Sequence, residues 1–197
     1  EDGATENLDV KFSKKVTGTG SGVSLCSNYV LTAEHNVPQT YEEMNVSNLN
    51  IAINTKYPAV VVKRDVEHDL ALLSVDCTNC LTPYMGGFAE KVEIGEFVAG
   101  AGFPFGGKVR FFKGHVSGKD IEEETSVLIT DIDAHAFPGN SGSPLVNYVD
   151  DNSHFIGIAL GIKGDYGGLV RISPLETVVE FLKDSPAIAC WDQKRKP

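Results

Sequence analysis

From Val16 to Ile172 the chain is a succession of short apolar runs separated by Gly, Pro, Asn and Asp, the residues that end strands and make tight turns. Many short strands punctuated in this way favour a closed β architecture. In the first half, Val23-Ser24-Leu25-Cys26 and Tyr29-Val30-Leu31 flank Ser27-Asn28, which reads as a tight turn. Leu49–Asn54, Ala59–Val62 and Leu70–Val75 read as further strands, and together these predict a first antiparallel barrel over 16–76. Residues 77–96, with Pro83 and Gly86-Gly87, read as a linker. Phe97–Ala101, Val109–Val116, Ser126–Thr130, Ser143–Asn147, Phe155–Ile162 and Gly168–Ile172 predict a second barrel over 97–172.

A helix is expected over 173–183. Ser173 is the candidate N-cap, Pro174 takes the first helical position and Glu176 completes a capping box. Leu175, Val178, Val179 and Leu182 then recur at helical spacing and predict one buried stripe. Glu1–Lys15 reads as a polar arm, Val37–Asn48 as a polar loop, and the residues beyond Leu182 as a polar, basic tail.

The 197 residues suit one domain, or two small barrels sharing an interface. No apolar run approaches the ~20 residues that span a bilayer. The net charge of -10 argues against nucleic-acid and anionic-membrane partners. The first residue is Glu1 rather than Met, which is expected of a processed or trimmed product. The four cysteines are too few for a disulfide scaffold. Cys77-Thr78-Asn79-Cys80 leaves a structural disulfide, free thiols, a redox pair or a zinc half-site open, and the first two are favoured. Cys26 and Cys190 read as small buried apolar residues. His68, His115, His135 and His154 have no metal-like pairing, so neither metal nor cofactor is expected.

The densest chemical signal is Phe137-Pro138-Gly139-Asn140-Ser141-Gly142-Ser143-Pro144. A serine hydroxyl becomes a useful nucleophile when a base takes its proton, and donors are needed for the oxyanion that forms on attack. Gly139 permits a tight turn in which the amides of Gly139 and Ser141 point the same way. Gly142 keeps space open above the hydroxyl. Upstream, His35 ends the apolar run Tyr29-Val30-Leu31-Thr32-Ala33-Glu34, and Asp69 precedes Leu70-Ala71-Leu72-Leu73. The order His35, Asp69, Ser141 is that of the chymotrypsin arrangement. The α/β-hydrolase elbow fails because its last glycine would be Ser143. Asp65, in the charged run Lys63-Arg64-Asp65, reads as a solvated face, Asp76 follows its strand, and Glu34 reads as solvent-facing or capping a turn.

The chain resembles the trypsin/chymotrypsin-fold serine proteases, nearest the HtrA-like (Deg-type) branch. The likeness is carried by Gly18-Thr19-Gly20-Ser21-Gly22-Val23, Tyr29–Val37, Asp69–Leu73, Gly102-Phe103-Pro104-Phe105-Gly106, Gly114–Gly118 and Thr130–Val146. It implies two six-stranded antiparallel β-barrels with a C-terminal α-helix, and a serine endopeptidase acting on polypeptide. By the resemblance, His35, Asp69 and Ser141 are the catalytic triad, Gly139 and Ser141 give the oxyanion amides, and His135, Ala136, Ala159, Leu160 and Gly161 line S1. No aspartate stands at the pocket base. Ala159 takes the place of the histidine usual in glutamate- and glutamine-cutting relatives. A small or medium apolar P1 is expected, with recognition of an acidic P1 by His135 as the alternative.

Two departures matter. Asn36 stands where many secreted relatives carry a bridged cysteine. Asn140 replaces the aspartate that pairs with a newly cut amino terminus in classical zymogens, so activity without that switch is expected. With so few residues after Leu182, regulation through the PDZ domain usual in HtrA proteins is not expected. A viral polyprotein-processing protease and a silent, protease-like binding module are the competing readings. An extracytoplasmic setting is favoured over a viral or cytosolic one, and oligomeric state is left open.

Overall fold

The computed structural model describes residues 18–37, 39, 44–47, 56–122, 125–149, 152–163 and 168–195. The arm Glu1–Lys15 and the strand expected over Leu49–Asn54 lie outside the described residues. Five strands form the first sheet: β1 (Val23–Ser24), β2 (Tyr29–Ala33), β3 (Asn45–Ser47), β4 (Lys56–Asp65) and β5 (Leu70–Val75). Their order is β1-β2-β5-β4-β3, antiparallel throughout. Among the described residues this first unit is a five-stranded half-barrel, and the further strand expected of it, over 49–54, lies outside them.

The central pair, β2 and β5, runs in register from Tyr29–Ser74 to Ala33–Leu70. Successive side chains of a strand point to opposite faces, so these strands feed two cores. Val30, Ala71, Leu73 and Val75 pack inside the first sheet with Val37, Ala59 and Leu81. Leu31, Ala33, Leu70 and Leu72 face the other way, into a core shared with Phe155, Ile158 and Leu160. The near-continuous apolarity of β5 therefore reflects burial on both faces.

The second unit is a closed barrel. Its strands are β7 (Phe97–Gly102), β8 (Arg110–Ile121), β9 (Leu128–Ile132), β10 (Pro144–Val149), β11 (Asn152–Lys163) and β12 (Leu169–Pro174). They run β10-β7-β8-β9-β12-β11, and the β10–β11 pairing closes the ring. Its interior is filled by Val98, Phe112, Val116, Ile132, Leu145, Ile156, Val170 and Ile172. The segment read as a linker contains a short strand, β6 (Gly87–Phe88), which pairs in parallel with β11 at His154 and Phe155.

The C-terminal end differs from the sequence reading in three ways. Helix α1 spans Leu175–Leu182 with Pro174 at the N-cap, and no side chain caps it. Ser173 remains extended in β12, paired with Ile158, so its hydroxyl is not placed for a capping box. The apolar stripe also includes Phe181, buried beside Val178 and Leu182. Beyond it, the expected tail forms a second helix, α2 (Ile188–Arg195). Trp191 anchors α2: it is 2% exposed and its ring lies 4.3 Å from that of Phe88 and 5.6 Å from that of Phe155.

Cys26 and Cys190 are not separate buried thiols but a disulfide, with Cα atoms 5.8 Å apart. It ties the turn after β1 to α2, across 164 residues of sequence. Cys77 and Cys80 form the second disulfide, closing a loop of sequence separation 3. The long-range link removes far more freedom from the unfolded chain than the short one. We predict that Cys26→Ala/Cys190→Ala lowers unfolding free energy by ~2–5 kcal/mol in urea titration, and Cys77→Ala/Cys80→Ala by clearly less. Equal losses would contradict a tethering role for the first disulfide.

Candidate active site

His35 stands on a single 3-10 turn (Glu34–Asn36) that follows β2 directly. The turn is held from below. Glu34 is 9% exposed and forms an ion pair with Arg64, whose guanidinium also donates to the Val37 carbonyl at 2.8 Å. Glu34 is therefore neither solvent-facing nor a simple turn cap. Its carboxylate is withdrawn into the sheet, which leaves the next residue to project outward.

Asp69 lies immediately before β5 with φ of 53°, a left-handed conformation uncommon outside glycine. The preceding turn supplies the cause. Asp65 accepts the His68 backbone N–H at 3.0 Å and pairs with His68 Nδ1 at 2.8 Å. Asp65 is thus a turn-building residue, not an idle solvated charge, whereas Asp76 is exposed. The Asp69 carbonyl accepts the Glu34 amide at 3.0 Å, locking the two segments together. Its carboxylate takes the His35 backbone N–H at 2.9 Å and meets His35 Nδ1 at 2.7 Å. With Nδ1 donating to a carboxylate, the nitrogen left for proton transfer in the neutral ring is Nε2. The hydrogen bond to Asp69 raises the His35 pKa above its ordinary 6.5; burial opposes this, and the charges of Asp69 and Glu34 add to the rise.

The serine loop is set by its carbonyls. Pro138 C=O accepts the Phe105 amide at 2.7 Å, and Asn140 C=O accepts the Ser143 amide at 2.9 Å. A trans peptide points its N–H opposite its C=O, so these bonds also aim the amides of Gly139 and Ser141. Neither amide has a hydrogen-bond partner among the described residues. Gly139 adopts φ of 97°, and a Cβ there would meet the Phe103 carbonyl at 2.5 Å. Gly142 has a different role from the one its sequence position suggests. A Cβ on it would lie 2.0 Å from the Ser21 carbonyl, so its absence lets the first sheet close onto the loop rather than keeping space for a ligand.

Ser21 and Asn36 complete the constellation. Ser21 Oγ donates to Gly139 C=O at 2.7 Å and accepts the Phe103 amide at 2.9 Å, while Ser21 N–H donates to Ser141 C=O at 2.8 Å. Asn36 Nδ2 donates to the same Ser141 carbonyl at 2.8 Å and lies 3.0 Å from Thr32 Oγ1. In the sequence Ser21 is visible only as the middle of a Gly-Ser-Gly run, and Asn36 only as a missing cysteine. Ser141 Oγ donates to Leu160 C=O at 3.0 Å and has no hydrogen bond to His35 among the described residues.

His35 and Ser141 both line a cavity of about 290 Å³. Of the residues expected at S1, Ala136, Ala159, Leu160 and Gly161 line it, and His135 is exposed and does not. Phe137, Pro138, Ile162 and Val170 contribute apolar walls that the sequence did not single out. Three or more metal-ligating side chains do not come together among the described residues.

A half-barrel and a closed barrel with these loops at their junction define the chymotrypsin-like class. The chain belongs to the trypsin-like peptidase domain family, whose model matches residues 20–158. A probable periplasmic DegP-like serine endoprotease of Pseudomonas putida is 32% identical over 173 residues, covering 85% of this chain and 34% of that protein. The chain thus spans about a third of the length of the curated relatives it matches. A serine endoprotease from Yersinia pestis superposes with a TM-score of 0.70 at 25% identity, covering 87% of this chain and 58% of that one. An HtrA-type protease solved with a tripeptide gives a TM-score of 0.70 at 26% identity, covering 83% and 54%.

The clamp on Ser141 leads to a prediction. Asn36→Ala removes one of two donors on the Ser141 carbonyl, a loss of ~1 kcal/mol. Labelling by a fluorophosphonate should slow by about fivefold with Tm changed little. An unchanged labelling rate would show that Ser21 alone sets the loop.

Proposed function

We propose that the chain is a serine endopeptidase of the HtrA/DegP type, with Ser141, His35 and Asp69 as its triad. The observation that carries this reading is the double grip of Asp69 on His35, which fixes the ring and leaves Nε2 as the base. The first step is rotation of Ser141 Oγ away from Leu160 C=O. Oγ then attacks the scissile carbonyl carbon while Nε2 takes the hydroxyl proton. The carbonyl oxygen becomes an oxyanion, and the free amides of Gly139 and Ser141 are its donors. On collapse the amine leaves with the proton from Nε2, and an ester on Ser141 remains. Water attacks this ester, its proton passing to Nε2, and the acid product departs as Ser141 Oγ regains the proton.

The walls of the cavity favour a small or medium apolar P1 side chain, because Ala136, Ala159, Leu160 and Val170 offer no charge to an ionic one. The exposed position of His135 weighs against an acidic P1. Peptides bound to a solved HtrA-type relative support polypeptide as the substrate class. Asn140 is 3% exposed and, as an amide, offers no charge to a new amino terminus, which supports activity without the zymogen switch.

Labelling with a fluorophosphonate tests the reading. The wild type should label, and Ser141→Ala and His35→Ala should not. A folded, unlabelled wild type would favour the silent binding module instead.

The pH profile follows from the histidine. Only the neutral ring accepts a proton, and its pKa is raised, so kcat/KM should climb through a pH above 6.5 rather than at it. Asp69→Asn removes the charge and replaces one of the two acceptor oxygens on His35 by an NH2 donor. The acidic limb should move to lower pH, and the plateau should fall by ~10³-fold or more as the tautomer is lost. A limb that stays in place in Asp69→Asn would remove Asp69 from this role.

A further inference from the structure

Two aromatic rings stand exposed beside the cavity. Phe137 is 52% exposed and Phe105 is 71% exposed, and their centroids lie 5.9 Å apart. Large apolar side chains left in solvent as a contiguous pair mark a contact surface more often than isolated ones do. The backbone adds a second observation. Phe105 sits at φ 54° and ψ 24°, a left-handed conformation that costs free energy for a bulky residue. It is held there by its own amide, bonded to Pro138 C=O, the carbonyl that also aims the Gly139 N–H. A glycine or asparagine would meet that backbone demand with less strain, and Phe105 presents a ring to solvent instead. Phe137 belongs to both features, since it walls the cavity that holds Ser141 and touches the Phe105 ring.

We propose that Phe105 and Phe137 form an aromatic shelf that takes a large apolar side chain of the substrate, adjacent to the residue seated in the cavity. The proposal rests on the endopeptidase reading. The ring faces supply apolar area, and the tilted pair leaves an open edge against which an aromatic or branched aliphatic side chain packs. The site therefore reads two neighbouring apolar residues: a small or medium one in the cavity and a large one on the shelf.

The test is cleavage-site mapping by mass spectrometry on reduced, alkylated casein. Wild type, Phe105→Asn, Phe105→Tyr and Phe137→Ser are compared, with fluorophosphonate labelling of each run in parallel. Asparagine accepts the left-handed backbone and retains the amide, so it removes the ring alone. We expect Phe, Tyr, Trp, Leu or Ile to be enriched by about fivefold at one position next to the cavity-bound residue. The enrichment should vanish in Phe105→Asn, fall in Phe137→Ser and persist in Phe105→Tyr, each compared at equal amounts of fluorophosphonate-labelled protein. Labelled enzyme without that enrichment, or with it intact in Phe105→Asn, would overturn the shelf alone. A wild type that neither labels nor cleaves would overturn the endopeptidase reading, and the shelf with it.

Discussion

The structure depends most on what Ser21 does at the junction of the two units. Its N–H, Oγ and C=O all contact partners across or beneath the serine loop. The N–H holds the Ser141 carbonyl, Oγ links Gly139 C=O to the Phe103 amide, and the C=O accepts Thr32 Oγ1 at 2.6 Å. Thr32 lies in β2, three residues before His35. One residue thus joins the histidine-bearing strand to the serine loop through bonds of 2.6–2.9 Å. Hydrogen bonds among buried groups are individually modest, but leaving any partner unpaired is costly, so the set holds together or fails together. Gly142 is the geometric condition for it, since a side chain there would collide with the Ser21 carbonyl.

The apolar cores serve the same junction. Alternate residues of β2 and β5 point into a core shared with β11 and the C-terminal helices, while their neighbours fill the first sheet. Lys63 on β4 adds a polar tie, donating to the Phe181 carbonyl at 2.6 Å with its ammonium 5.1 Å from the Phe181 ring. The Cys26–Cys190 disulfide closes the remaining side. His35 and Asp69 lie at adjacent ends of β2 and β5, so fixing those strands against the second barrel sets both groups relative to Ser141.

Much of this was legible in the sequence where the signal is local. Short apolar runs bounded by turn residues located β2, β5 and most of the second barrel, and strand ends flagged His35 and Asp69. The misreadings are non-local. Ser173 carries a capping-box pattern, but its ladder pairing with Ile158 keeps it in β12. The segment after Leu182 looks like a polar tail because its buried apolar side chains among the described residues, Ala187 and Trp191, are few, and their partners, such as Phe88 and Phe155, lie far away in sequence. Cys26 and Cys190 find each other through the same packing. The cavity walls Ile162 and Val170 depend on the β11–β12 register, which shifts between Ala159 and Gly161 and is invisible to spacing.

The most direct measurement is intact and peptide-level mass spectrometry of the enzyme quenched in acid during turnover of a slowly hydrolysed acyl ester. A single added acyl group is expected on the peptide bearing Ser141, accumulating and then decaying with product release. Product formed with no acylated intermediate, or an acyl group carried on any other side chain, would contradict it.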